Sequence, residues 1–235
     1  MSQTFLGLAA ADWQALWLSV RISAAAIAIS LPFGIALGWL LARKVFPGKA
    51  AVETIVALPL VLPPVVTGLL LLYALGPRSA VGSALESTSG LQIAFTWKAA
   101  VLAVAVVGFP LLVRAIRVAF EGVDPRLYQV ARSLGAARFD AFRSVSLPLA
   151  RHGVIAGVVL AFARGLGEFG ATMMFASIRP ETTTLAIQIY VLHNQPGDVS
   201  EARMWRVVIA SVVLAFASLV LSEYFARRGR QHELA

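Results

Sequence analysis

The stretch QVARSLGAARFDAFRSVSLPLAR, residues 129–151, is a charged segment between two long apolar runs. Just before it, Asp124 and Pro125 suit the N-cap and the first position of a helix. Gly135 stands where a residue in the left-handed conformation would end that helix. A second short helix is predicted over residues 136–145. The segment is therefore predicted to be a pair of short helices joined by a glycine turn.

The composition of the whole chain places this segment in a membrane protein. Of the 235 residues, 59% are hydrophobic and 14% are charged, whereas a soluble domain carries about 25% charged residues. Cysteine is absent, which excludes disulfides, thiolate nucleophiles and cysteine metal sites. The three histidines are scattered along the sequence. We therefore predict no metal site and no cofactor.

Five apolar segments are long enough to cross a bilayer, which takes about 20 residues. They are residues 17–41, 54–75, 94–116, 153–176 and 205–225. The longest loop between them, residues 121–151, contains the charged helix pair. The prediction is an all-α integral membrane protein whose residues 1–235 form one transmembrane domain.

Basic residues alternate in density along the chain and predict its orientation. The segments after spans one, three and five are rich in arginine and lysine, whereas those after spans two and four are poorer or diluted by acidic residues. Basic loops remain on the cytoplasmic side. The N-terminus is thus predicted to be periplasmic and the C-terminus cytoplasmic. The same pattern accounts for the net charge of +8, so no nucleic-acid partner is expected.

The second span contains a proline cluster, LPLVLPPVVTG, at residues 58–68. Pro59, Pro63 and Pro64 remove backbone donors and disturb the preceding turn. In a membrane, a broken helix is tolerated where it packs in protein or lines a cavity. This segment is either a pathway-lining helix or a kink that only shapes the bundle, and the sequence leaves both readings open.

The fourth span carries two charges among small residues. Arg164 and Glu168 are four residues apart and would share one face of a helix. Ionisable side chains at membrane depth usually face a bundle interior or a water-filled path. A pathway role is favoured over an ion pair that only fastens helices. The candidate pathway or helix-packing residues are Pro59, Pro63, Pro64, Thr67, Arg164, Glu168 and Gly170.

The charged segment resembles the EAA loop of binding-protein-dependent ABC importer permeases. That loop has the pattern Glu-Ala-Ala, three residues, Gly, nine residues, Ile-x-Leu-Pro. Here Gln129-Val130-Ala131 stands at its start, Gly135 at its glycine, and Leu147-Pro148 at its end. Gln129 replaces the usual glutamate, so a salt bridge at that position is in doubt. Pro148 is predicted to interrupt the second loop helix before the fourth span begins.

The resemblance extends over most of the chain and is strongest to the molybdate permeases of the family, with sulfate permeases sharing the general plan. The segments that carry it include LPLVLPPVVTG and LAFARGLGEFGATMMF, residues 160–175. It implies the type I permease fold and the membrane subunit of an ATP-driven molybdate importer in the bacterial inner membrane. The implied partners are a second copy of the chain, two copies of a separate ABC ATPase, a periplasmic oxyanion-binding protein and membrane lipid.

The resemblance also assigns ATPase docking and coupling to the loop. Its candidate coupling residues are Gln129, Val130, Ala131, Gly135, Arg138, Phe139, Phe142, Leu147 and Pro148. The sequence contains no G-x-x-x-x-G-K-[ST] motif that could hold ATP phosphates. The chain is therefore predicted to be a permease without catalytic residues of its own.

Three alternatives remain open at this point. The same machine could carry sulfate, thiosulfate or tungstate. A secondary anion transporter would show inverted repeats with paired broken helices, and no such repeat is evident in five spans. An intramembrane enzyme using Arg164 and Glu168 would need a nucleophile, a second carboxylate or a metal cluster beside them, and none accompanies them.

Overall fold

The computed structural model describes the backbone of residues 8–231 and the side chains of residues 8–224, and this part of the chain is helical throughout. The two termini, to which the predicted orientation refers, lie outside the described residues, as does His232. The helices are α1 (Ala10–Arg43), α2 (Lys49–Val61), α3 (Pro64–Leu75), α4 (Ala80–Ser89), α5 (Trp97–Glu121), α6 (Pro125–Ser133), α7 (Arg138–Ala141), α8 (Leu147–Leu166), α9 (Gly170–Ala176), α10 (Leu185–His193) and α11 (Asp198–Gln231).

Four helical segments are long and apolar enough to cross a membrane: Ala10–Arg43, Trp97–Glu121, Arg138–Leu166 and Asp198–Tyr224. Helices α2 and α3 taken together are also long and apolar enough to form a fifth span, which is bent. Helix α5 lies at the centre of the bundle and is buried along its length, from Ala100 to Phe120. It packs against α1 and α8, whose small residues allow close approach.

The predicted irregularity of the second span is confirmed. Helix α2 ends at Val61, and α3 begins at Pro64 after a bend of 111°. Pro64 occupies the first turn of the new helix, where its missing N–H would have had no partner in any case. Pro59 lies within α2, one turn before the break.

The fourth span differs from its prediction, because residues 153–176 do not form one helix. Helix α8 ends at Leu166, and α9 begins at Gly170. The Glu168 carboxylate Oε1 accepts a hydrogen bond of 2.9 Å from the backbone N–H of Ala171. The side chain thereby satisfies a free donor in the first turn of α9, which stabilises the break inside the bundle.

The prediction that Pro148 interrupts the second loop helix is wrong. Helix α7, a π-helical turn at Phe142–Ser146 and α8 follow one another without a gap, and they form a single helix from Arg138 to Leu166. In the π turn, the Leu147 N–H donates to the Phe142 carbonyl. Pro148 follows directly after this π turn, where the regular hydrogen-bond ladder that a proline would disturb is already interrupted.

The opposite end of the bundle contains a buried polar cluster that the sequence did not reveal. Asp12, with 1% of its surface exposed, accepts two hydrogen bonds from the Arg203 guanidinium, at 2.7 and 2.8 Å. It also accepts one of 2.8 Å from Gln188 Nε2. These contacts join α1, α10 and α11 through one carboxylate.

We expect Asp12→Ala to lower the free energy of unfolding by about 1–3 kcal/mol, because Arg203 and Gln188 lose their acceptor. Thermal unfolding of the purified protein in detergent measures the change. Asp198→Ala is the matched control, since Asp198 is an exposed acid at the start of α11. Equal melting temperatures for the two variants would contradict the role given to the cluster.

Candidate functional site

The loop between α5 and α8 has the turn geometry that the sequence predicted. The Asp124 side chain accepts a hydrogen bond from the Arg126 N–H and so caps α6. Gly135 has φ +94°, a conformation that side-chain-bearing residues rarely adopt. Two backbone hydrogen bonds close the turn, from Gly135 to the Arg132 carbonyl and from Ala136 to the Ala131 carbonyl.

An aromatic cluster fixes this loop to the membrane helices. The Phe142 ring lies 5.6 Å from the Trp39 ring in an edge-to-face arrangement and 5.9 Å from the Phe120 ring, spacings typical of favourable aromatic pairs. The Arg43 guanidinium also donates to the Val123 carbonyl at the entrance of the loop. Phe142, one of the predicted coupling residues, is therefore half-buried and anchors the loop.

One side of α6 is apolar and exposed. Leu127, Val130 and Leu134 are spaced three and four residues apart and share a helical face. Leu134 has 83% of its surface exposed, and Phe139 on α7 has 68%. Such an apolar patch beside charged residues is typical of a surface that contacts another protein or a membrane.

The other predicted loop residues are distributed over several environments. Gln129 lines a cleft of about 220 Å³ together with Trp39, Arg43 and Lys44, on the side of α6 that faces α1. Ala131 and Leu147 are half-buried, and Arg138 and Pro148 are exposed. Of the predicted coupling residues, Val130 and Phe139 are thus the apolar side chains that lie open to a partner.

The two helix breaks of the membrane region meet. A side chain on Gly170 would lie 3.0 Å from Pro64 Cβ, and one on Gly68 would lie 2.6 Å from the Ala171 carbonyl oxygen. The first turns of α3 and α9 are therefore in direct contact. Of the predicted pathway or packing residues, Pro64 and Gly170 thus lie side by side.

The predicted pair Arg164 and Glu168 is formed, although Glu168 lies beyond the end of α8. Arg164 Nη1 is 2.9 Å from Glu168 Oε2, an ion pair whose geometry is not that of a hydrogen bond. The Glu168 side chain is 1% exposed and the Arg164 side chain 31% exposed. The carboxylate thus has two functions, because it neutralises Arg164 and caps α9.

Buried hydroxyl groups lie on the two helices that form the contact. Thr67 on α3 and Thr172 on α9 are buried, and within the described residues neither Oγ1 has a hydrogen-bond partner. A buried polar atom without a partner requires an explanation. Thr67 was among the predicted residues. Thr172 was not, because a lone threonine in an apolar run carries no sequence signal.

The architecture, a helical bundle with broken spans and a two-helix loop, is that of a type I ABC importer permease. The MetNI methionine ABC transporter in an inward-facing conformation has a TM-score of 0.63 at 17% identity, covering 91% of this chain and 94% of that chain. An amino acid ABC transporter crystallised with histidines has a TM-score of 0.61 at 21% identity, covering 93% and 94%. At these identities the likeness establishes the fold.

Sequence comparison establishes the family. A family model described as the binding-protein-dependent transport system inner membrane component matches residues 34–231. The molybdenum transport system permease protein ModB of Escherichia coli strain K12 is 52% identical over 221 residues, covering 94% of this chain and 96% of the relative. ModB of Haemophilus influenzae strain Rd is 46% identical over 212 residues, covering 90% and 92%.

The chain belongs to the family of binding-protein-dependent ABC importer permeases. It is a multi-pass membrane protein of an ABC transporter, and membership implies an ATPase and a binding protein as partners. As a permease it is not itself the catalytic component.

We expect Gly68→Ala to destabilise the α3–α9 contact, because the new methyl group meets the Ala171 backbone, which cannot move aside. Overpacking of this kind lowers stability by about 1–3 kcal/mol. Thermal unfolding of the purified protein measures the effect, and transport shows its consequence.

Gly108→Ala is the matched control. Gly108 is also a buried glycine in a membrane helix, but its new methyl group would be 3.8 Å from the nearest backbone oxygen, that of Ala161. A Gly68→Ala protein as stable and active as Gly108→Ala would contradict the close contact between the two breaks.

Proposed function

We propose that this chain is the membrane subunit of an ATP-driven molybdate importer. The observation that supports the substrate is the 52% identity, over nearly the full length of both chains, to a permease named for molybdenum transport. Two copies of the chain form one translocation pathway on a two-fold axis. Each copy docks one of two ATPase subunits of the ModC type, and a periplasmic oxyanion-binding protein of the ModA type delivers the anion.

The exposed apolar side of α6 is the docking face for the ATPase in this proposal. Leu127, Val130 and Leu134 would enter a groove of the partner, as amphipathic helices do in general. Gly135 sets the angle between α6 and α7. Because α7 continues into α8, a displacement of the loop reaches the membrane helices without passing through a flexible joint.

The contact between α3 and α9 is the proposed element of the anion pathway. A helix N-terminus carries a partial positive charge, and α3 starts at this contact without an acidic side chain in its first turn. Glu168 occupies the start of α9, so we assign the oxyanion to the start of α3, where Pro63 and Pro64 carry no N–H and Val65 provides the first backbone donor. Thr67, Arg164 and Gly170 belong to the same proposed pathway region.

The orientation follows from the same scheme. The α6–α7 loop faces the cytoplasm with the ATPase, and the N-terminus and the region of α10 face the periplasm. The binding protein would contact the segment 177–204, which the Asp12 cluster holds against α1 and α11. The C-terminus is cytoplasmic in this arrangement.

Reconstitution of the complete complex in proteoliposomes tests the substrate. We expect molybdate with its binding protein to stimulate ATP hydrolysis and to accumulate inside the vesicles. Stimulation by sulfate with a sulfate-binding protein, and none by molybdate, would contradict the proposal. Anion uptake by the permease alone, without an ATPase, would contradict the entire class.

We expect Gly135→Val to abolish most transport-coupled ATP hydrolysis while the protein still inserts in the membrane. A β-branched residue at φ +94° is strained, and the strain, of order 1–3 kcal/mol, reorients α6. Binding of the ATPase subunit and substrate-stimulated hydrolysis are the measurements.

Gly90→Val is the control for this prediction. Gly90 also has a positive φ, 65°, and open space around it, and it ends α4 on the proposed periplasmic side. The backbone strain is comparable, but the ATPase is far away. Equal loss of coupling in both variants would show that strain alone, and not the position of α6, is responsible.

A further inference from the structure

A notch lies between the last turns of α1 and the α6–α7 loop, with a volume of about 750 Å³. We call it the α1 notch. Its floor is apolar and its rim is basic. The floor consists of Ala36, Trp39, Leu40, Tyr128, Phe139 and Phe142, and the rim of Lys44, Arg132 and Arg138.

The rim carries positive charge without a counter-charge. No residue that lines the α1 notch is acidic, and the ion pairs found among the described residues include none of Lys44, Arg132 and Arg138. One Arg132 amino group donates to the Ala136 carbonyl, which holds the guanidinium in position while other N–H groups remain. Such a rim favours an anionic ligand.

The floor continues into an exposed apolar surface of α1. Ile29, Phe33 and Leu40 are exposed along one side of α1 and lead to the notch. The Arg21 guanidinium lies over the Trp97 ring at 5.3 Å. Along α1, Arg21 and Arg43 are about 33 Å apart, which is close to the thickness of a bilayer core of about 30 Å. Lys44, next to Arg43, therefore lies at the level of the headgroups.

The notch and the proposed ATPase face, which consists of Leu127, Val130 and Leu134, lie on different sides of α6, whereas the predicted coupling residues Arg138, Phe139 and Phe142 line the notch. Tyr128 and Arg132, one turn apart, point into the notch. Leu127, Val130 and Leu134 lie on the opposite side of α6, as the helical period of 3.6 residues dictates. A ligand in the notch and a partner on the apolar face can thus be bound together.

We propose that the α1 notch binds the headgroup of an anionic phospholipid from the cytoplasmic leaflet. The phosphate contacts Lys44, Arg132 and Arg138, and the acyl chains follow the exposed side of α1. Basic pockets beside membrane helices on the cytoplasmic side are suited to such headgroups. The proposal rests on the orientation given under the proposed function, but not on the identity of the transported anion.

Quenching of Trp39 fluorescence by brominated lipid tests the site. The complex is placed in nanodiscs of phosphatidylcholine with a small fraction of either brominated phosphatidylglycerol or brominated phosphatidylcholine. Subtraction of the signal of Trp39→Phe isolates the contribution of Trp39. We expect brominated phosphatidylglycerol to quench Trp39 more strongly than brominated phosphatidylcholine does. In the double variant Lys44→Gln, Arg138→Gln, this preference for the anionic lipid should fall roughly tenfold or more.

The matched control is Arg126→Gln, Arg143→Gln, which removes the same charge from exposed loop positions that do not line the notch. This control variant should show the same preference for brominated phosphatidylglycerol as the unmodified protein. Equal quenching by both lipids in the unmodified protein, or an equal loss in both double variants, would overturn the proposal. So would quenching that appears only when the ATPase subunit is removed, since the notch would then be a protein contact.

If the notch double variant does not assemble, Lys44→Gln and Arg138→Gln are measured singly, and each should lose part of the preference. A single variant that retains the full preference would count against the site. The measurement is independent of transport, so a failure of molybdate to stimulate ATP hydrolysis would leave its result unchanged.

Discussion

Inside a bilayer the backbone has no water to bond to, so protein must shield every interruption of a helix. This constraint determines how the bundle is arranged around its two breaks. The break before Pro64 and the break before Gly170 lie against each other, with backbone in direct contact at Gly68 and Ala171. The Glu168 carboxylate supplies the acceptor that the start of α9 would otherwise lack, and Arg164 balances its charge.

The continuous helix from the loop to the break also has a mechanical consequence. A single helix runs from Arg138 in the loop to Leu166 at the break, and Phe142 fixes its lower end to Trp39 and Phe120. The α6–α7 loop and the break between α8 and α9 are thus at the two ends of one helix. In the proposed function, this helix carries the movement of the ATPase to the pathway, and the Asp12 cluster keeps the opposite end of the bundle in place.

Local patterns predicted much of this arrangement. Asp124, Pro125 and Gly135 act at short range, so the sequence was sufficient for the loop turn. A pair of adjacent prolines broke the second span as predicted, whereas the single prolines Pro32 and Pro110 lie inside intact helices. Proline alone is therefore a weak signal of a break.

The features that the sequence did not predict depend on contacts between residues far apart in the chain or on backbone geometry. The break after Leu166 depends on a side-chain cap and on α3 beside it, and the uninterrupted passage through Pro148 depends on a π turn that no residue type specifies. The Asp12 cluster joins residues more than 170 positions apart in the sequence. The position of α6 beside α1, where the Tyr128 and Trp39 ring centroids are 6.4 Å apart, is equally a tertiary effect.

In the proposed function, α7 and α8 move as one body while the contact between α3 and α9 changes. Because the chain has no cysteine, spin labels can be attached at introduced cysteines in one copy of the complex. Distances from α8, labelled at Leu160, are measured to α7 at Asp140 and to α3 at Leu69, all exposed positions. On ATP binding, we expect a constant distance between residues 140 and 160 and a changed distance between residues 160 and 69. A changed first distance with a constant second distance would contradict this expectation.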